Sequence, residues 1–452
     1  MNLREIIVEI LLELERTDGY VNLLLADVLE KYDYLEPKEK AFIKRVTEGC
    51  VERRIQIDYI LNRISRVPVS KMKPFIRALL RMSAYQLLFM DSVPDAAVCN
   101  EAVKLAKKRK FGSLQGYVNG VLRNLARQKD AVVYPDVEKE TTEAFSVLYS
   151  MPVWLVEHFL RSFGRETTER MLGAFLERRP VTVRMEEGLT EEERERLLLS
   201  WEKMGVTVSK HPYLPYAVRV GRTEGIKHLP GYEEGLFMVQ DISSMLAVEA
   251  AGIGKGQTVL DLCAAPGGKS LHAASKLAGT GRVLSFDLTE GKLSRLEENR
   301  RRMRRENMET AIADACVYRE ELCRMADIVL ADVPCSGLGV IGRKPDIKYH
   351  VTERSLEEIL TLQKQILRNA AAYVKPGGIL LYSTCTVNPR ENEETAEWLC
   401  RNFPFVPESM CAYLTKELPE DLRKAAETGM VQLLPGIHES DGFFFARLRR
   451  KS

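Results

Sequence analysis

"QTVLDLCAAPGGKS", Gln257 to Ser270, carries the fold of this 452-residue chain. Val259, Leu260 and Leu262 form a short apolar run, the pattern of a buried strand. Pro266, Gly267 and Gly268 break it, and a helix-forming stretch follows. The glycines let the backbone approach a ligand closely and open a helix whose first amides face it. The turn is not the G-x-G-x-x-G of a dinucleotide site. It is not a P-loop either, because Cys263 stands where the first glycine is required. Further apolar runs, "GRVLSFDL" from Gly281, "ADIVLADVP" from Ala326 and "GGILLYSTC" from Gly377, alternate with helical patterns, and "GFFFARLRR" from Gly442 ends the series. Residues 234–452 thus read as a doubly wound α/β domain with a mostly parallel sheet.

Ligands of such sheets lie outside the carboxyl ends of the strands. Asp287 closes the second run about 20 residues after the glycines, where a carboxylate accepts ribose hydroxyls. A third, shorter run, "TAIADA" from Thr310, ends near Asp314, placed for an adenine amine. A glycine turn with two such acids suits an adenosine without pyrophosphate, as in S-adenosylmethionine. The fourth run ends in "ADVPCSG", from Ala331, and the fifth in "STC", from Ser383. If these strands are neighbours, Asp332, Cys335 and Cys385 meet over the cleft. A free cysteine is more often a small buried hydrophobe. Pro334 and Pro389, however, mark both cysteines as loop residues, and loops carry function. Cysteines 50, 99, 316, 323, 400 and 411 read as structural.

Upstream, residues 1–128 show only helical periodicity, 129–148 read as a charged linker, and 149–233 mix helix and strand patterns in a small α+β domain. Net charge is +2, but residues 51–130 hold 16 Lys/Arg against 6 Asp/Glu, an excess of 16 − 6 = 10 that favours a phosphate backbone. "RRRMRR", Arg300 to Arg305, is a second basic run, read equally as a charged helix face. Nine scattered cysteines without a C-x-x-C pair argue against a disulfide framework and a structural metal site. No signal peptide or membrane span is read, so a cytoplasmic monomer without metal or membrane partner is expected.

"DLCAAPGGKS", "ADVPCSG", "YSTCT" followed by "ENEE", "RKPDIKY" and "LPGIHESDGFFFARL" together resemble the RNA (cytosine-5)-methyltransferases. "ALLRMSAYQLLF", "VPDAAVCNEAVKLAKK" and "YVNGVLRNLAR" resemble the NusB fold, a combination found in the RsmB/Sun/Fmu type. The resemblance implies an all-α NusB-like bundle, a small α+β RNA-binding domain and a Rossmann-like class I methyltransferase domain. It implies methylation of carbon 5 of a cytosine in 16S ribosomal RNA by S-adenosylmethionine. Cys385 is then the nucleophile, Cys335 assists product release, and Asp332 contacts the base or the cofactor's methionine end. Cys263, Ala264, Ala265, Pro266, Gly267, Gly268, Lys269, Asp287, Asp314 and Asp332 would hold the cofactor. Arg184, Arg343, Lys344, Asp346 and Lys348 would contact RNA. Transfer RNA or another ribosomal cytosine is the competing substrate. A non-catalytic RNA-binding transcription or assembly factor and a small-molecule methyltransferase are the competing classes.

Overall fold

The computed structural model describes residues 2–223 and 225–452. They form two compact units, one reaching Glu177 and including Ile341–His350, the other comprising Arg178–Val340 and Val351–Ser452.

The first unit is helical. Its central helix, Pro74–Phe89, buries Ile76, Leu79, Leu80 and Met82 among the helices Leu3–Thr17, Pro37–Glu52 and Gln115–Gln128. Each fully buried Leu or Ile contributes about 1.5–3 kcal/mol, so the apolar stripes legible in the sequence account for the packing. Proline at the first position of Pro37–Glu52 and of Pro74–Phe89 starts both helices without losing a hydrogen bond.

The expected linker is part of this unit. Tyr134 stacks on Tyr59 with ring centroids 6.1 Å apart, and Tyr59 Oη donates to Val133 O. Helix Thr141–Leu148 buries Ala144, Phe145 and Val147, and Ser150 Oγ accepts the Ile55 amide at the start of helix Arg54–Ile64. Helix Val153–Ala174 also belongs here, not to the α+β domain.

Segment Ile341–His350, from "RKPDIKY", completes the same unit. Asp346 Oδ2 accepts the Val21 amide at 2.6 Å, at the first residue of helix Val21–Lys31. Lys348 Nζ donates to Glu52 O at 2.8 Å and Tyr349 Oη to Val51 O at 3.0 Å, both at the end of helix Pro37–Glu52. The Arg54 guanidinium lies 3.5 Å over the Tyr349 ring. Asp346 and Lys348 are therefore buried helix-end partners, correcting their assignment as RNA contacts. Arg343 and Lys344 remain exposed.

The second unit holds two sheets. β1 (Val181–Met185), β2 (Thr207–Lys210), β3 (Ala217–Gly221) and β4 (Phe237–Val239) form an antiparallel sheet in the order β2-β3-β1-β4. The α+β element therefore runs past residue 233, because β4 pairs with β1. Arg184 on β1 is fully buried. It donates to Gln240 Oε1 at 3.0 Å and pairs with Glu186 at 3.2 Å, which corrects its assignment as an RNA contact.

The second sheet contains β5 (Thr258–Asp261), β6 (Arg282–Asp287), β7 (Met308–Ile312), β8 (Ala326–Asp332), β9 (Val374–Thr384), β10 (Phe405–Pro407), β11 (Met430–Leu433) and β12 (Phe443–Arg450). The order is β10-β12-β9-β8-β5-β6-β7, with β11 on β12. β5 to β9 pair in parallel, and β12 runs antiparallel to β9. The order reverses at β5, whose neighbours are β6 and β8, so the cleft opens above the β5 and β8 tips. Most of "RRRMRR" serves this unit internally. Arg300 and Arg301 pair with Glu297, Arg302 donates to Tyr232 O, and Arg305 pairs with Glu186. Among the described residues no helix is long and apolar enough to cross a membrane.

Candidate active site

The turn after β5 is shaped by its backbone. Gly267 has φ 107°, a backbone conformation that strains any other residue, and a Cβ there would press on Leu296 Cδ1 at 2.5 Å. Helix Gly268–Lys276 starts immediately after it. Below the turn, Asp261 accepts from Ser270 Oγ at 2.6 Å, and burial raises its carboxyl to about 7. Asp287, at the β6 tip, accepts the Ala265 amide at 2.9 Å and the Leu288 amide at 2.8 Å, and Lys292 lies 3.3 Å away. Exposed Asp314 accepts the Cys316 amide at 2.8 Å.

A cavity of about 200 Å³ opens above β5. Cys263, Ala264, Ala265, Pro266, Gly268, Lys269 and Asp332 line it, as expected. Gly267, Asp287 and Asp314 are not among the residues that line it. Gln240, Asp241 and Ser244 also line it and were not anticipated. The only sequence signal for them is a helix start: Asp241 accepts the Ser243 amide and caps helix Ile242–Ala251.

β8 and β9 are neighbours, with Asp332 opposite Ser383. Asp332 Oδ2 accepts from Lys269 Nζ at 2.7 Å and Oδ1 from Ser383 Oγ at 2.8 Å. Lys269 thus pairs with Asp332 rather than standing as a free cation beside the thiols; it also lies 5.0 Å over the Phe443 ring. Beyond these tips, Cys335 Sγ and Cys385 Sγ are 3.3 Å apart. The hydrogen bond with Cys385, and then burial, hold the Cys335 thiol well above its ordinary range. Either sulfur can donate in this contact. The Cys385 carbonyl accepts the Gly339 amide at 3.1 Å, and a Cβ on Gly339 would collide with Gly442 O at 2.1 Å.

Both cysteine loops rest on Glu391, a buried carboxylate that the sequence shows only as the first residue of "ENEE", with no role assigned to it. It accepts from the amide and hydroxyl of Ser336 and from Gln363 and Asn388. Elsewhere, Glu187, Glu249 and His272 come within 4.8 Å of one another. Lys276 Nζ already lies 2.9 Å from Glu187 and 2.6 Å from Glu249, which makes this group an internal ion-pair cluster.

Residues 252–449 match the family 16S rRNA methyltransferase RsmB/F, and residues 1–127 match the NusB family. The probable ribosomal RNA small subunit methyltransferase B of Bacillus subtilis (strain 168) is 34% identical, covering 100% of this chain and 99% of the relative. The chain belongs to the RsmB/F methyltransferase family. The ribosomal RNA small subunit methyltransferase B of Cronobacter sakazakii is 32% identical, covering 92% of this chain and 91% of the relative. The crystal structure of PH0851 superposes with TM-score 0.79 at 25% identity, covering 100% of this chain and 99% of that one. NSun6 from Pyrococcus horikoshii with SFG shares the fold, at TM-score 0.58 and 20% identity over 68% of this chain and 100% of that one. The RsmB/F match covers the larger sheet, with both cysteines and the cavity residues from Asp261 to Asp332 inside its bounds, and the NusB match covers the N-terminal helices.

Proposed function

We propose that this RsmB/F chain transfers a methyl group from S-adenosylmethionine to carbon 5 of a cytosine in 16S ribosomal RNA, through a covalent bond from Cys385. The observation that carries the reading is the 3.3 Å thiol pair beside a cavity lined by Asp332. The family and its relatives supply the substrate class.

The residues fit the cofactor. A turn whose left-handed Gly267 backbone favours glycine opens a helix, and the acids Asp287 and Asp314 follow at successive strand ends. Bound S-adenosylmethionine supplies an electrophilic methyl group. Asp332, held by Lys269 and Ser383, offers an anionic contact to the cofactor's methionine end. Carbon 5 of cytosine is a poor nucleophile while the ring is aromatic. Addition of the Cys385 thiolate at carbon 6 makes carbon 5 enamine-like and able to take the methyl group. A base then takes the carbon 5 proton, the freed electron pair re-forms the carbon 5–carbon 6 double bond and expels Cys385 as a thiolate, and Cys335 beside it can return a proton to that sulfur. The substrate base leaves any stack to reach this pair.

The test is methyl transfer to 16S ribosomal RNA by Cys385→Ala. Activity is expected to vanish; undiminished activity would overturn the nucleophile assignment.

A further inference from the structure

We propose that Glu391 is a positioning residue for the cysteine pair, clamping the residue that follows each cysteine so that the two sulfurs are held at reacting distance. The role deepens the proposed reaction and rests on that reading of Cys385 and Cys335.

Glu391 lies in the polar stretch after β9 but is fully buried. Burying a carboxylate is costly unless its lone pairs are filled. Here they are filled by neutral donors. Oε1 accepts the Ser336 amide at 2.8 Å and Gln363 Nε2 at 3.1 Å. Oε2 accepts the Ser336 hydroxyl at 2.6 Å and Asn388 Nδ2 at 2.9 Å, with Thr386 Oγ1 at 3.5 Å. The Ser336 and Thr386 hydroxyls are themselves 2.7 Å apart. Ser336 follows Cys335 and Thr386 follows Cys385, so a single carboxylate ties the two loops together one residue beyond each thiol. Gln363 also donates to Pro334 O, the residue before Cys335. The next residue, Asn392, accepts from Thr384 Oγ1 at 2.6 Å and donates to Thr386 O at 3.1 Å, which brackets Cys385 on both sides.

A carboxylate suits this place because it only accepts. Five donors from both loops and from helix Glu353–Tyr373 reach it, and an apolar residue would take this acceptor from the Ser336 amide and the Asn388 side chain. Loop stability alone could be served within each loop. This network instead crosses from one cysteine loop to the other. The cofactor side is held separately, by Lys269 and Ser383 on Asp332.

The test uses the full-length chain. In Glu391→Ala, kcat for methyl transfer is expected to fall about 100-fold, the effect of a misplacement of about 1 Å. The KM for S-adenosylmethionine should stay near wild type, and covalent protein–RNA adduct should accumulate because Cys335 no longer meets the Cys385 sulfur. A second readout needs no methyl transfer. Diamide takes two electrons and two protons from a thiol pair, giving a disulfide and a hydrazine. The rate of forming the Cys335–Cys385 disulfide, followed by peptide mass, should fall in step with kcat. Glu391→Gln keeps one acceptor oxygen, and the Ser336 hydroxyl and Asn388 amide can turn to accept its NH₂. Both rates should largely recover in that variant. If Glu391→Ala does not fold, Ser336→Ala carries the test with Glu391→Gln as its near-wild-type control, and a disulfide rate at the wild-type value in Ser336→Ala would overturn the proposal. So would an active-site defect in Glu391→Ala without a change in the disulfide rate. Activity in Cys385→Ala would sink the nucleophile reading while leaving the diamide result to judge the clamp.

Discussion

Lys348→Met separates a structural lysine from an RNA contact. The Lys348 side chain is buried, with Nζ on Glu52 O, and burial lowers its ammonium from 10.5 to about 7. Each pKa unit is worth about 1.4 kcal/mol, so at pH 7 the buried lysine costs the fold up to about 4 kcal/mol. Losing the hydrogen bond to Glu52 O takes back about 1 kcal/mol. The methionine variant should therefore stabilise the helical unit by up to about 3 kcal/mol at neutral pH. The sign with pH follows. The unfolded chain keeps the lysine proton up to about 10.5, while the folded chain releases it near 7. Between these values the unfolded state binds more protons, so wild-type stability climbs with pH. The advantage of methionine is thus largest at and below pH 7 and shrinks toward pH 10. Urea titration, followed by hydrogen exchange in peptides from residues 37–64, measures it. No gain, or an equal gain at low and high pH, would refute the reasoning. Affinity for a 16S RNA fragment should be unchanged. A loss with a shallower salt dependence would restore the RNA-contact role.

Three further outcomes bear on the active site. Cys335→Ala should accumulate a covalent protein–RNA adduct, seen as a shifted band on a denaturing gel, because the departing sulfur loses its proton donor. With limiting iodoacetamide, Cys385 should be alkylated before Cys335, since the hydrogen bond with Cys385 and burial raise the Cys335 thiol and disfavour its thiolate. Peptide mapping reads this directly, and the reverse order would exchange the roles of the two thiols. Asp332→Asn removes the charge opposite Lys269 while keeping an acceptor for Ser383. Binding of S-adenosylmethionine by calorimetry should weaken about tenfold, the scale of one charge-assisted hydrogen bond.

The cysteine pair was legible in sequence because parallel neighbours bring strand ends together. The apolar runs before Asp332 and Cys385 are short, bounded by turns and similar in pattern, so adjacency followed from the fold class alone. Its asymmetry was not legible. Either cysteine could have been the attacking thiol by spacing; the contact between them is symmetric, with either sulfur able to donate, and the assignment of roles comes from the family resemblance. Charged residues misled where burial depended on distant partners. Asp346 and Lys348 sit in "RKPDIKY", which reads as an exposed basic loop until helices 21–31 and 37–52 supply an amide and a carbonyl for them. Arg184 lies on a strand that looks half exposed, yet Gln240 and Glu186 enclose it.

Glu391 is the sharpest instance of the same effect. In "NPRENEE" it is one acid among several, with the composition of a solvated loop. Local patterning carries no sign of burial, because the donors that fill its lone pairs come from Ser336, 55 residues earlier, and Gln363, 28 residues earlier. A short polar motif after a strand-end cysteine can therefore be an internal scaffold rather than a surface turn. What identifies it is an acceptor-only side chain surrounded by donors from two loops that must keep a fixed separation. By that criterion the functional unit of this site extends past the two thiols to the carboxylate that spaces them, and Ser336 and Thr386 are as much part of the cysteine geometry as the sulfur atoms.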